Sequence, residues 1–161
     1  MSEQSHPPFF PMMINLQAKK ILIVGGGHIA SRRAETLITC GAEITAISPD
    51  FCDNFPEKST KIFRAFQPED INENFFFVIA ATNQRKINEQ IHKICRQKNI
   101  PVNVADCQNE CDFFFPSLIS FAGFTVSVNS AGKSSNLTHR LSNKLRQVWP
   151  DWVKSEIDAE K

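Results

Sequence analysis

A chain of 161 residues with a formal net charge of +1 has room for one domain with a proper core and a small appendage, and it has no global field to draw it to nucleic acid or a membrane surface. No apolar run approaches the roughly 20 residues that a spanning helix requires, and the polar, Pro-rich start from Met1 to Pro11 lacks the charged-then-apolar order of a signal peptide. Five cysteines, an odd number scattered through an α/β pattern, point to a reducing cytoplasm rather than a disulfide framework.

Met1 to Pro11 reads as a tail, and Met12 to Leu16 is expected along the edge of a sheet. Ile21-Leu22-Ile23-Val24 is four apolar residues in a row, three of them β-branched, the mark of a strand buried on both faces. Gly25-Gly26-Gly27 follows at once, and Ser31 to Cys40 continues at helical spacing to a glycine stop at Gly41. Glu43 to Ile47 is a second strand, ended by Ser48-Pro49-Asp50, and a crossover this short makes the two strands parallel. Thr60 to Phe66 is expected as an edge strand, Phe75 to Ala81 as a second fully buried one, and Pro101 to Ala105 as the next. Between the last two, Lys86 to Gln97 forms a helix with Ile87, Ile91 and Ile94 inward. The alternation predicts a Rossmann-like, doubly wound parallel sheet over residues 1–111, with 1–11 as the tail. Residues 112–161 change pattern: two strands around Phe121-Ala122-Gly123 read as a hairpin. A helix with Leu137, Leu141, Leu145 and Val148 along one face, closed by Pro150, completes a small C-terminal element.

The chemistry concentrates at turns. Gly25-x-Gly27-x-x-Ala30 lies between a strand and a helix, the setting a dinucleotide site needs. Gly25 allows the sharp turn, Gly27 the approach of a pyrophosphate, and Ala30 close packing of helix on strand. His28 and Ile29 fall beside the cofactor, whose phosphates meet free N–H groups and the helix dipole. Asp50, two residues past the second strand, is placed to accept from an adenosine ribose, or it caps a turn. No Lys or Arg lies between Ile44 and Glu57 to hold a 2′-phosphate, which favours NAD over NADP. Asp106, beyond Val102-Asn103-Val104-Ala105, sits at the carboxyl edge where open α/β sheets bind ligands; the competing reading is an Asx turn or helix cap. Cys107-x-x-x-Cys111 lacks the further Cys/His pair that structural zinc requires, so no metal site is expected. Gly132-Lys133-Ser134 looks like the end of a P-loop, but Ser127 stands where the motif needs its first glycine; Asn129 to Ser135 is either an anion cradle or an ordinary capped helix start.

In order along the chain, these stretches resemble the N-terminal module of siroheme synthase and its stand-alone relatives, the precorrin-2 dehydrogenases. The matching residues are Leu16-x-x-Lys19, Ile21 to Gly27, Ala30-x-Arg32-Arg33, Ser48-Pro49, Ile79-Ala80-Ala81-Thr82-Asn83 and Val102 to Asp106. Cys111-Asp112-Phe113-x-x-Pro116-Ser117 and Ser130-Ala131-Gly132-Lys133-Ser134 complete the set. The resemblance implies NAD-dependent oxidation of precorrin-2 to sirohydrochlorin, with the cofactor over Gly25 to Ala30 and Ser48 to Asp50 and beside Ala81, Thr82 and Asn83. It implies that Asp106 is the catalytic residue, that Ser130 and Gly132 lie near the tetrapyrrole cleft, and that the protein is a homodimer whose C-terminal elements cross between subunits. Ala131 stands where a glycine is commoner. A polycarboxylate substrate needs local positive charge, for which Arg32, Arg33, Lys133 and Arg140 are the candidates. Two alternatives stay open: a bifunctional enzyme that also inserts ferrous iron, and, from another class, an NAD-sensing regulatory module.

Overall fold

Ile21–Val24 has no face that could be left in water, and the computed structural model, which describes residues 9–160, puts this run at the centre of a parallel sheet. The strands β1 (Lys20–Val24), β2 (Glu43–Ser48), β3 (Thr60–Phe63), β4 (Phe77–Ala80) and β5 (Val102–Val104) lie in the order β3-β2-β1-β4-β5. All pair in parallel, in the register Leu22 opposite Thr45 and Val78. The helices α1 (His28–Thr39) and α2 (Arg85–Lys98) make the connections β1 to β2 and β4 to β5. The order reverses at β1, so the carboxyl ends of β1, β2 and β4 open on the crevice where a doubly wound sheet binds its ligand.

Side chains alternate across the strands. Leu22, Val24, Val78, Ala80, Val102 and Val104 pack with Ile91 and Cys95 of α2 in one fully buried cluster. Ile21, Ile23 and Ile79 point the other way and are buried just as completely, while α1 adds Ala30, Ala34 and Leu37. The expected edge course of Met12 to Leu16 is not found: these residues are in no strand and Met13 is 90% exposed. The sheet edges belong to β3 and β5 instead.

Packing divides the chain after Phe113, so that Pro11–Phe113 forms the sheet unit and 114–160, with Phe9 and Phe10, the other. In the second unit β6 (Ser117–Phe121) and β7 (Phe124–Val128) form an antiparallel hairpin that turns at Ala122-Gly123 and packs with α3 (Ser135–Ala159). Arg146 donates to Ser117 Oγ at 2.9 Å, fastening α3 to β6. Pro150 does not close this helix but lies within it. An interior proline costs a helix about 3 kcal/mol, but apolar anchors flank it here: Val153 is buried one turn on, and the Trp149 and Trp152 rings meet edge to face across it at 5.9 Å. The predicted stripe is present, yet Leu137, Leu141 and Val148 face solvent, as do Leu118, Phe121 and Phe124 of the hairpin. Among the described residues no helix is long and apolar enough to cross a membrane.

The fold depends on the central strand. Leu22→Ala is expected to destabilise the protein by about 2–5 kcal/mol, read as a lower urea midpoint at unchanged slope.

Candidate active site

Three turns meet at the carboxyl edge because one of them has no side chains. Gly25 leaves β1 at φ +125°, and a Cβ built on it would lie 2.3 Å from the carbonyl oxygen of Ala81 in the turn after β4. A Cβ on Gly26 would lie 2.0 Å from the carbonyl oxygen of Asp50 and 2.9 Å from Ser48 Oγ, in the turn after β2. Backbone bonds lock this clasp: Ala81 N–H donates to Val24 at 2.8 Å, Gly25 N–H to Ile47 at 2.9 Å and Cys52 N–H to Gly26 at 2.8 Å. Gly27 differs from both. Nothing lies within 4 Å of its Cβ position, it is exposed, and it begins α1 with no side-chain cap. Backbone and helix dipole thus face open space at Gly27, His28 and Ile29, while Ala30 is fully buried against the sheet. The shape fits a pyrophosphate, and a side chain at Gly27 would fill it.

Asp50 helps to shape its own turn. Its Oδ1 accepts from Phe51 N–H at 3.1 Å and Ser48 Oγ accepts from Asp50 N–H at 3.4 Å, shaping the turn, and the residue with Pro49 remains exposed. In the third turn Thr82 is held by Asn88, a residue the helical pattern leaves unremarked among the inward isoleucines. Asn88 is fully buried; its Oδ1 accepts from Thr82 N–H at 3.1 Å and Thr82 Oγ at 2.7 Å, and its Nδ2 donates to the Thr82 carbonyl at 3.0 Å. Asn83 is exposed at the tip. The sequence signal for Asn88 was a polar residue on the apolar face of a helix, next to Ile87 and Ile91.

Asp106 follows β5, and the short 3-10 turn Gln108–Glu110 beyond it starts at Cys107 with no side-chain cap. Its Oδ1 accepts from Arg85 Nη1 at 3.0 Å, and Arg85 Nη2 bonds Glu110. The Glu110 hydrogen bond, followed by the charges of Glu110 and Asp106, raises the Arg85 pKa, so this cation is fixed at any pH the protein meets. Cys111 Sγ lies 3.2 Å from Val104 N and 3.3 Å from the Cys107 carbonyl, and burial pushes its thiol up. Among the described residues no group of three side chains could hold a metal ion. Of the α1 arginines, Arg32 is exposed and Arg33 half-buried. Burial draws the Arg33 guanidinium down to about 10, against the pull of nearby Cys111, and leaves it charged at neutral pH.

Ser130, Gly132, Lys133 and Arg140 belong to the second unit. Ser130 Oγ accepts from Ser134 N–H at 3.0 Å and Thr138 Oγ at 3.1 Å, and Ser134 caps α3 through Leu137 N–H at 3.2 Å. Ala131 N–H donates to Asn129 Oδ1 at 2.7 Å and Lys133 N–H to the Ser130 carbonyl at 3.0 Å. These N–H groups are engaged within the loop, so its positive charge lies in the exposed side chains of Lys133 and Arg140. Ala131 holds φ +49°, a conformation glycine adopts at lower cost.

A parallel sheet switching direction at β1, with a clasped glycine turn and an open helix start, defines a dinucleotide-binding protein of the Rossmann type. Residues 12–117 match the family model described as "Putative NAD(P)-binding", and the chain belongs to that family. It is similar to the siroheme synthase of Pseudoalteromonas translucida, 35% identical over 150 residues that cover 90% of this chain and 32% of that protein. The siroheme synthase of Baumannia cicadellinicola is 32% identical over 150 residues, with the same coverage of 90% and 32%. The chain thus spans about a third of the length of these curated relatives. Among solved structures it resembles SirC, precorrin-2 dehydrogenase, with a TM-score of 0.74 and 27% identity over 86% of this chain and 70% of that one.

The contrast between two neighbouring glycines is a test. Gly26→Ala is expected to lower both the melting temperature and NAD affinity, because its Cβ would strike backbone. Gly27→Val is expected to keep the melting temperature and lose NAD binding. Calorimetric titration beside thermal unfolding reads both; normal NAD affinity in Gly27→Val would make the turn merely structural.

Proposed function

We propose that this protein is an NAD-dependent dehydrogenase that oxidises precorrin-2 to sirohydrochlorin in siroheme biosynthesis. The observation that carries the reading is Asp106: an acidic side chain at the carboxyl edge, held by Arg85 through Oδ1, on a chain similar to a precorrin-2 dehydrogenase. Gly25, Gly27, His28, Ile29 and Ala30 would hold the pyrophosphate, Ser48, Pro49 and Asp50 the adenosine ribose, and Ala81, Thr82 and Asn83 the opposite wall. Bound there, NAD supplies a hydride acceptor. Oxidation also releases a proton, and Asp106 accepts it as general base, a role worth roughly 10²–10⁴-fold in rate. Arg32, Arg33, Lys133 and Arg140, with Ser130 and Gly132 in the loop, serve the carboxylates of the tetrapyrrole through charge-assisted hydrogen bonds.

The same reading makes the protein a homodimer. Leu137, Leu141, Val148 and Trp152 recur at helical spacing along α3 and are all more than a third exposed in one chain, an apolar stripe that a second copy would cover. A cytoplasmic location is supported by five cysteines that are all free thiols.

Anaerobic incubation with precorrin-2 and NAD is expected to yield NADH and sirohydrochlorin in equal amounts. NAD is expected to bind more tightly than NADP, since the β2 turn offers no cation to a 2′-phosphate; a tighter NADP complex would overturn that choice. Asp106→Asn, nearly isosteric and unable to take up the proton, is expected to keep NAD affinity and slow precorrin-2 oxidation by about 10²-fold or more.

A further inference from the structure

Arg85 occupies a position that helix electrostatics disfavour. It is the first residue of α2, where the helix dipole is positive, and the first turn of α2 contains no acidic residue to offset it. What offsets it comes from 21 and 25 residues further along: Asp106 on Nη1 at 3.0 Å and Glu110 on Nη2. Glu110 is the better shielded of the two, its side chain 18% exposed against 35% for Asp106. The guanidinium is therefore braced from behind by the more buried carboxylate and presents its other amino group to the more open one. Its backbone origin is fixed as well, because Asn88 on the same turn of α2 is locked to Thr82. Asp106 itself stands on a loop, where an unrestrained carboxylate would visit several rotamers.

We propose that Arg85, braced by Glu110, is a positioning residue that holds Asp106 by Oδ1 and so presents Oδ2 to the proton leaving the substrate. The proposal rests on the reading of Asp106 as general base. A planar guanidinium suits this role, because its two amino groups diverge at a fixed angle and anchoring one to Glu110 aims the other. Proton transfer demands that the acceptor oxygen sit within hydrogen-bond reach of its target, and small misplacements there are costly. Arg85 acts through Asp106: its guanidinium bonds the two carboxylates Asp106 and Glu110.

Steady-state kinetics with precorrin-2, beside calorimetric NAD affinity and thermal unfolding, tests this on Arg85→Gln, Arg85→Lys, Glu110→Gln, Asp106→Asn and the double variant R85Q/D106N. Arg85→Gln and Glu110→Gln are expected to lower kcat by about tenfold or more, with KM for precorrin-2 and the NAD dissociation constant little changed. Arg85→Lys should recover part of the loss, and R85Q should add nothing in the D106N background, since there is no base left to position. A raised KM with unchanged kcat in Arg85→Gln would overturn the proposal, making the arginine a receptor for a substrate carboxylate. Losses that multiply in R85Q/D106N would overturn it too, as the two residues would then act independently. Wild-type turnover in Asp106→Asn would remove the base and with it this proposal; a slow Asp106→Asn beside a fast Arg85→Gln would remove the proposal alone. Should Arg85→Gln fail to fold, Arg85→Lys and Glu110→Gln carry the same comparison.

Discussion

Backbone meets backbone at the carboxyl edge of the sheet only because Gly25 and Gly26 carry no Cβ. The carbonyls of Ala81 and Asp50 come to 2.3 and 2.0 Å of where those atoms would be, distances no other residue type could tolerate. The turns after β2 and β4 are thereby drawn against the turn after β1 from either side, and three backbone hydrogen bonds fasten them. A cofactor site built this way is rigid by exclusion of atoms rather than by addition of contacts. Gly27 is the exception that gives the clasp its use, since its open Cβ position is where a phosphate group can approach the start of α1.

Electrostatics in this chain is local. A net charge of +1 gives no long-range steering, so each anion must be met by groups already aimed at it. The helix start at Gly27 offers N–H groups and a dipole without a formal charge. Arg33 offers a formal charge largely withdrawn from water, and Lys133 and Arg140 offer charges on the surface of the second unit. At Arg85 both amino groups are committed to the protein's own carboxylates. That commitment joins the loop after β5 to the start of α2, and through Asn88 to the turn after β4. Asp106 and the turn after β4 are in this way parts of a single braced assembly.

Much of this is legible in the sequence. The strand at Ile21–Val24, the glycine turn and the helix after it follow from hydrophobic period and the conformational freedom of glycine, which are local properties. The parallel sheet follows from short crossovers and the β-α alternation. What escapes the sequence depends on partners distant along the chain. Gly26 is an unassigned position within the motif, and only the approach of Asp50 shows that it matters as much as Gly25. The pair Arg85–Asp106 spans 21 residues and two turns, which no periodicity reports. Pro150 reads as a stop because its local cost is real, and it is overridden by apolar contacts of Val153 and Trp152 that lie beyond it. The leucine stripe of α3 is legible as a stripe, but periodicity states that a face is apolar and not what covers it.

A hollow of about 650 Å³ lies at the amino edge of the sheet, lined among others by Lys20, Gly41, Lys58 and Asn74, far from the clasped turns. Its lining includes no buried polar side chain and no helix start, whereas the site proposed for the cofactor, at the opposite edge, has the open start of α1. Backbone amide spectra recorded during a titration with NAD decide between the two directly. Binding at the clasped turns predicts that the strongest shifts fall at Gly27 to Ala30, at Asp50 and at Thr82 and Asn83. Shifts gathered instead at Lys20, Gly41, Lys58 and Asn74 would contradict it.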